Sequence, residues 1–369
     1  MCVEGGRCRA RLDGAIHRCE SPRPARTPGV ETPPVHPTLQ SAARRRLGVF
    51  TVVEARRAGY RADEIRSAIS SGRWHRLRRG IYIETAAWRS VADDPRARHL
   101  VECVAVLTAL KPGPVVSHSS AARFHRFVLP GRIDGDVRLT QVEEWRQGRG
   151  YRIAAATLPA NDLTSAPPLT VTSEARTLVD CAREWPLVDA VVAVDAALHA
   201  GQVTRAGLRS AVLAQTHWLG VGGAARAVDL SDGRAESPLE SRGRLALVSG
   251  GLPRPELQVE LHGVRGFVAR VDAWYDDAAV ALEFDGRVKY LDPRPGNTSG
   301  DVLWREKRRE DLIRELDVRV VRIAQEDVDA PRTLMARVAR LLATPWVGPR
   351  RFTVVRRPEP GADPADAVA

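Results

Sequence analysis

Hydrolysis of a phosphodiester with a divalent cation needs two or three carboxylates held on rigid elements, so that one ion polarises the phosphate and acidifies a bound water. The stretch FVARVDAWYDDAAVALEFDG offers such a set. Its apolar spacing predicts a strand to Tyr275, a turn at Asp276 and Asp277, and a returning strand from about Ala278 to Phe284. On the returning strand Val280, Leu282 and Phe284 face a core, which leaves Ala281, Glu283 and Asp285 together on the other face. A tight turn then sets Asp272 opposite Ala281, with Glu283 its diagonal neighbour at roughly 7 Å or less. Upstream, SPLESR opens a helix with Ser237 as N-cap, Pro238 in the first position and Glu240 in the third. Glu240 has two readings there: the partner in a capping box, or an outer carboxylate that holds the metal through water.

The elements around these acids run helix, strand, strand, strand, helix, strand, helix from Glu236 to Leu342, which predicts a mixed sheet flanked by helices. The helix from about Val302 to Leu316 carries Arg305, Lys307, Arg308 and Arg309 in the run WREKRRE. Such a run is either a solvated face or, beside an acidic cluster, a set of phosphate contacts. The order of SPLESR, VDAW, VALEFDGRVKY and WREKRREDLIRELDVRVVRI resembles the very-short-patch-repair-like endonucleases, a branch of the PD-(D/E)xK nuclease superfamily. The resemblance implies a restriction-endonuclease-like fold, a bound Mg²⁺ or Mn²⁺, and cleavage or nicking of DNA. It further implies Asp272 as first metal aspartate, Glu283 as second acid and Glu240 as helix glutamate. One departure stands out: the superfamily places a lysine two residues after the second acid, and here that residue is Asp285. The general base is therefore unassigned, and Lys289 is the nearest candidate.

Near the other end, FTVVEARRAGYRADEIRSAISSGRWHRLRRGIYI pairs Thr51 with Glu54 in capping-box spacing and supplies a helix stop at Gly59. A second helix from about Ala62 to Ser71 puts Ile65, Ala68 and Ile69 on one face. Two short helices joined by a tight turn form a helix-turn-helix, whose second helix enters the major groove. Trp74, Leu77, Ile81 and Ile83 then flank Arg78, Arg79 and Gly80 as a β-hairpin wing. Arg73, His75, Arg76, Arg78 and Arg79 are placed for phosphates, whereas Arg66 and Ser67 on the exposed side of the second helix are placed for base edges. The GRWHRLRRGIYI run behind two helices resembles the winged-helix domain of abortive-infection type IV antitoxins. That resemblance implies repression of the protein's own operator. The segments VVSHSSAARFHRFVLP and LTVTSEARTLVDCAREWPLVDAVVAVDAALHAG resemble the continuation of the same proteins.

Composition bounds these readings. With 56 Lys plus Arg against 45 Asp plus Glu, the net charge of +11 favours a polyanionic partner, and double-stranded DNA is expected. Five cysteines and no apolar leader predict neither a disulfide framework nor secretion, and no apolar run is long enough for a membrane span, so a cytoplasmic protein is expected. Cys8, His17 and Cys19 match no zinc spacing. His118, His125 and Asp180 are scattered and read as structural, while Val188, Val191, Val192, Asp195, Ala196 and Leu198 read as one helical core face. The expected fold class is α/β (α+β) multidomain. A disordered basic arm is expected over 1–46, a winged helix over 47–90, an antitoxin-like middle over 91–230, the nuclease-like unit over 236–345 and a disordered tail over 346–369. Two functions fit this layout: a metal-dependent endonuclease with a DNA reader, or a DNA-binding autorepressor whose nuclease-like fold is a scaffold.

Overall fold

The structure is a computed structural model that describes residues 36–285 except 111, residue 309, and residues 311–360. It is an α+β multidomain protein with a three-stranded, a six-stranded and a five-stranded sheet. Among the described residues no helix is long and apolar enough to cross a membrane.

The reader is built from helices Pro37–Arg44, Val52–Arg57 and Ala62–Ser70 and the wing strands Trp74–Arg78 and Ile81–Glu84. Thr51 and Glu54 close the expected capping box, with the Glu54 N–H donating to Thr51 Oγ1 at 3.1 Å and the Thr51 N–H donating to Glu54 Oε2 at 2.9 Å. The arm expected over 1–46 is corrected at its end. Pro37–Arg44 is helical because Pro37 sits in the first turn, where its missing N–H costs nothing, and Leu39 and Ala43, four residues apart, bury against Phe50 and Tyr82.

The wing does not stand alone. Strand Ile81–Glu84 alternates its faces, so that Tyr82 packs with Phe50 and Trp74 in the reader while Ile81 and Ile83 pack with Val101, Val116, Leu139 and Ile153 of the middle unit. The expected boundary at residue 90 therefore crosses one continuous core. That middle unit sets helix Pro95–Ala109 on a sheet in which strand Val137–Gln141 pairs in parallel with Tyr151–Ala155. Behind it lies a layer of helices Glu174–Ala182, Leu187–His199, Arg205–Leu213 and Val221–Leu230.

The C-terminal sheet has the spatial order Arg319–Ala324, Val280–Asp285, Gly266–Tyr275, Glu256–Gly263, Phe352–Val355. Only its first pair is parallel. Helices Pro238–Ser249 and Arg332–Leu342 cover one face. The tail expected from 346 is a second correction: Phe352–Val355 adds an edge strand to Glu256–Gly263, with Phe352 buried edge-on to Trp274 at 5.9 Å. Further on, Glu359 pairs with Arg205 and accepts from the Gly233 N–H at 2.8 Å.

The hairpin register also differs from the expected one. Trp274, not Asp272, lies opposite Ala281, because the loop holds four residues, Asp276 to Ala279, instead of two. Asp276 stabilises the longer loop by accepting from Trp274 Nε1 at 2.9 Å and from Arg350 at 3.0 Å.

His99 in helix Pro95–Ala109 lends itself to a stability test. Ser120 Oγ accepts from the Arg138 N–H at 2.8 Å and lies 2.7 Å from His99 Nε2, so the buried imidazole has a hydroxyl partner. Burial, with Arg123 adding repulsion, pushes the His99 imidazole down to about 4. The folded state therefore binds fewer protons than the unfolded one, so the stability is present above the unfolded value of about 6.5 and is lost as pH falls toward 4. Denaturant titrations between pH 7 and pH 4 should show a loss on the order of 3 kcal/mol from this group, most of it absent in His99→Gln. An equal pH dependence in the variant would contradict this assignment.

Candidate nucleic-acid interface

Helix Ala62–Ser70 is amphipathic at the spacing the sequence predicts. Ile65 and Ala68 are buried and Arg66, Ser67 and Ser70 are exposed. Its first turn carries Asp63 and Glu64, and the Glu64 carboxylate accepts from the Arg61 N–H at 2.7 Å, so the helix start is closed by its own acid. Arg66 and Ser67 therefore stand outward beyond this acidic turn, one turn along the helix.

On the wing the arginines divide into two kinds. Arg76 and Arg79 are exposed and Arg73 is half-buried. Arg78 turns inward: its Nη1 donates to the Arg149 carbonyl at 2.9 Å, its Nη2 to the Gly150 carbonyl at 3.4 Å, and its guanidinium lies 5.5 Å from the Tyr151 ring centre. The phosphate contact expected of Arg78 is corrected accordingly, since its donors are aimed at backbone carbonyls of the middle sheet. At the base of the wing His75 stacks on Trp88 at 5.2 Å, and Trp88 is in turn covered by the Arg98 guanidinium at 4.5 Å. Burial and the neighbouring Arg98 charge hold the His75 imidazole below its ordinary range, which keeps the ring neutral and stacked.

The seat for Arg78 depends on two glycines. Gly150 has φ +72°, and a Cβ there would lie 3.3 Å from Arg78 Nη2, while a Cβ on Gly148 would fall 2.3 Å from the Tyr151 ring. The sequence reasoning missed this contact because 71 residues separate its partners. The run GRGY is the trace it leaves in the sequence.

Residues 37–85 match a family profile described as a transcriptional regulator, AbiEi antitoxin. These residues form an AbiEi antitoxin-like regulator domain. Over 172 residues the chain is 35% identical to two proteins of Mycobacterium tuberculosis, the uncharacterized proteins MT2308 and Rv2248. The match covers 46% of this chain and 61% of each relative's length. Among solved structures, that of the RV2827C protein from the same species is similar with a TM-score of 0.36 at 15% identity, over 55% of this chain and 78% of the other.

The acids predicted for a metal are differently engaged. Glu240 completes the capping box: its Oε2 accepts from the Glu236 N–H at 3.0 Å and from Gln258 Nε2 at 2.9 Å, and its Oε1 accepts from the Ser237 hydroxyl at 2.8 Å. Burial, and next to it the Asp272 charge, push the Glu240 carboxyl up, while these hydrogen bonds pull it down. Asp272 Oδ2 accepts from the Phe284 N–H at 2.7 Å. Glu283 is held by both arms of the Arg309 guanidinium, at 2.6 and 3.1 Å. Arg309, expected to meet DNA, is thus turned onto the sheet, where it also reaches the Arg270 carbonyl at 3.2 Å.

Among the described residues no three His, Cys, Asp or Glu side chains are grouped to hold a metal ion. Asp272, Glu283 and Glu240, the donors expected for Mg²⁺ or Mn²⁺, each accept hydrogen bonds from protein groups in this arrangement. Asp285 ends its strand opposite Ala324, and Lys289, Arg305, Lys307 and Arg308 lie outside the described residues.

In the middle unit the structure does bring together residues that are scattered in sequence. Thr140 donates to Ser117 Oγ at 2.7 Å, Ser117 meets His118 Nδ1 at 2.8 Å, and His118 Nε2 is 3.6 Å from Glu184. Ser117 and His118 are both buried, so the hydroxyl has no approach for a substrate and the chain serves as a core network.

The Arg78 brace predicts a local dynamic effect. Arg78→Ala should leave the fold intact and speed amide exchange in the wing and at Tyr151 by roughly tenfold, the protection carried by one charge-assisted pair of hydrogen bonds. Lysine should restore only part of it, since it lacks the planar fork that spans two carbonyls. Hydrogen exchange read by mass spectrometry checks this, and unchanged rates in Arg78→Ala would show the contact to be idle.

Proposed function

We propose that the protein is a DNA-binding transcriptional regulator of the antitoxin type that represses its own operator, with the C-terminal sheet as a scaffold. The observation that carries the reading is the pairing of an outward Arg66 and Ser67 on the second helix of the 37–85 domain with an outward Arg76 and Arg79 on the adjoining wing. The helix reads base edges in the major groove and the wing fixes register on the phosphates. The net charge of +11 draws the duplex in at long range.

The alternative of a metal-dependent nuclease draws less support. Its three acids already serve a helix cap, a strand and an arginine, so a cation would share or compete for their oxygens. In the regulator reading the same acids hold the sheet together.

Binding of the purified chain to a duplex of its own upstream region, against a scrambled duplex, tests the reading. Arg66→Ala should cost about 1–3 kcal/mol on the upstream duplex and little on the scrambled one, erasing the preference. Arg79→Ala should weaken both alike and lower the log–log salt slope by about 0.9. No binding by the wild type to either duplex refutes the regulator. The wild type should also leave supercoiled plasmid intact with Mg²⁺ or Mn²⁺. Metal-dependent nicking that is lost in Asp272→Asn would restore the nuclease reading.

A further inference from the structure

The Arg78 brace leaves an open cleft beside it. The cleft has a volume of about 640 Å³ and is lined by Arg76, Leu77, Arg78, Arg79, Arg149 and Gly150. Four of the six lining residues are arginines and none is acidic. They come from two parts of the chain, the wing and the turn between strands Arg146–Gly148 and Tyr151–Ala155 of the middle sheet. Arg76, Arg79 and Arg149 are exposed, so their guanidinium groups are open to an incoming ligand, whereas Arg78 is committed to the carbonyls below them.

Holding these cations together is unfavourable unless an anion joins them. Burial lowers the Arg78 pKa and the Arg149 charge pushes in the same direction, while Tyr151, Glu102 and Asp136 oppose them. Of the charged groups acting on Arg78, Arg149 is the one that lines the cleft. A rigid concave seat of guanidinium groups matches phosphodiester oxygens, which arginine binds with paired, planar donors.

We propose that this cleft is a second DNA-backbone site, in which Arg149 of the middle sheet takes a phosphate next to the one held by Arg79 of the wing. The inference rests on the reading of residues 37–85 as a DNA reader and adds a partner element to it. The footprint then extends beyond the winged helix, and the middle unit itself is clamped on the duplex. The brace gives the clamp its geometry. Because Arg78 fixes the Arg149 turn to the wing through backbone atoms, the two phosphate-binding arginines keep a set spacing whatever the side chain at 149 does.

The test is fluorescence anisotropy of the full chain with a labelled random-sequence duplex and with its own upstream duplex, across a salt series. Arg149→Ala should weaken both by roughly three- to tenfold and lower the log–log salt slope by about 0.9, as for Arg79→Ala. Arg149→Lys should recover most of the slope, because a charge suffices for counterion release. Arg226→Ala, an exposed arginine of helix Val221–Leu230, is the control and should change neither quantity. Since the brace uses only the main chain at 149, the Arg149→Ala variant keeps its seat, and hydrogen exchange of the wing confirms that. Unchanged affinity and slope in Arg149→Ala, with Arg79→Ala still impaired, overturns the second site and leaves the reader standing. Wild-type protein that binds neither duplex overturns both.

Discussion

One strand serves two cores, and the rest of the arrangement depends on it. Strand Ile81–Glu84 is the inner strand of the wing, yet Ile81 and Ile83 are buried with Val101, Val137 and Leu139 of the middle unit while Tyr82 closes the reader. A winged helix of this size has little apolar surface of its own, and a small domain of that kind is marginal in isolation. Sharing the strand removes the weakness and at the same time fixes the angle between wing and middle sheet. The Arg78 contact to the carbonyls of Arg149 and Gly150 reinforces what the shared core sets. The wing is therefore braced against the middle unit, and in the regulator reading its arginines would meet DNA from prearranged positions instead of being ordered on binding.

A second constraint ties the C-terminal sheet to the helical layer. Arg244 of helix Pro238–Ser249 donates to Asp195 of helix Leu187–His199 at 2.9 Å, both side chains being only 1% exposed, and to the Leu230 carbonyl at 2.6 Å. Asp195 also accepts from the Asp232 N–H at 2.7 Å. A buried pair of this kind adds little net stability over an apolar pair, but losing one partner leaves a charge stranded, at a cost of roughly 3–5 kcal/mol. It therefore specifies one docking of the two units. The Glu359 contacts to Arg205 and Gly233 close the same junction from the C-terminal side.

The sequence was informative where local chemistry decides the conformation. The Thr51–Glu54 box, the buried Ile65 and Ala68 against exposed Arg66 and Ser67, and the Ser237–Glu240 cap follow from spacings of three and four residues. What escaped depended on distance or on small numbers. Helix Pro37–Arg44 buries only two apolar side chains, Leu39 and Ala43, too few to show a period. Strand Phe352–Val355 gains its order from an edge that a remote strand provides. The Asp276–Ala279 loop was shortened to two residues because Ala278 and Ala279 look like strand, yet Ala279 has φ +46° and belongs to the turn. The Arg149 and Gly150 carbonyls that seat Arg78 leave only the GRGY run as a local trace, since their partner lies 71 residues away.

The acids of the C-terminal sheet show why residue type and order underdetermine chemistry. At Gln258, φ is +52°, and the packing changes sides there: Leu257 and Ala273 join Leu239 and Leu282 in one layer, whereas Val259 and Val271 join Trp274 and Ile313 in the other. Such a switch interrupts the strand ladder, and side chains must satisfy the groups it leaves over. Asp272 accepts from the Phe284 N–H, and the Gln258 amide donates to Glu240 at the start of the covering helix. Glu240 in turn caps that helix, and Glu283 binds the Arg309 guanidinium on the opposite layer. The same three acids that a phosphodiesterase would require thus already have partners within the fold, and residue type and order alone do not separate the two roles.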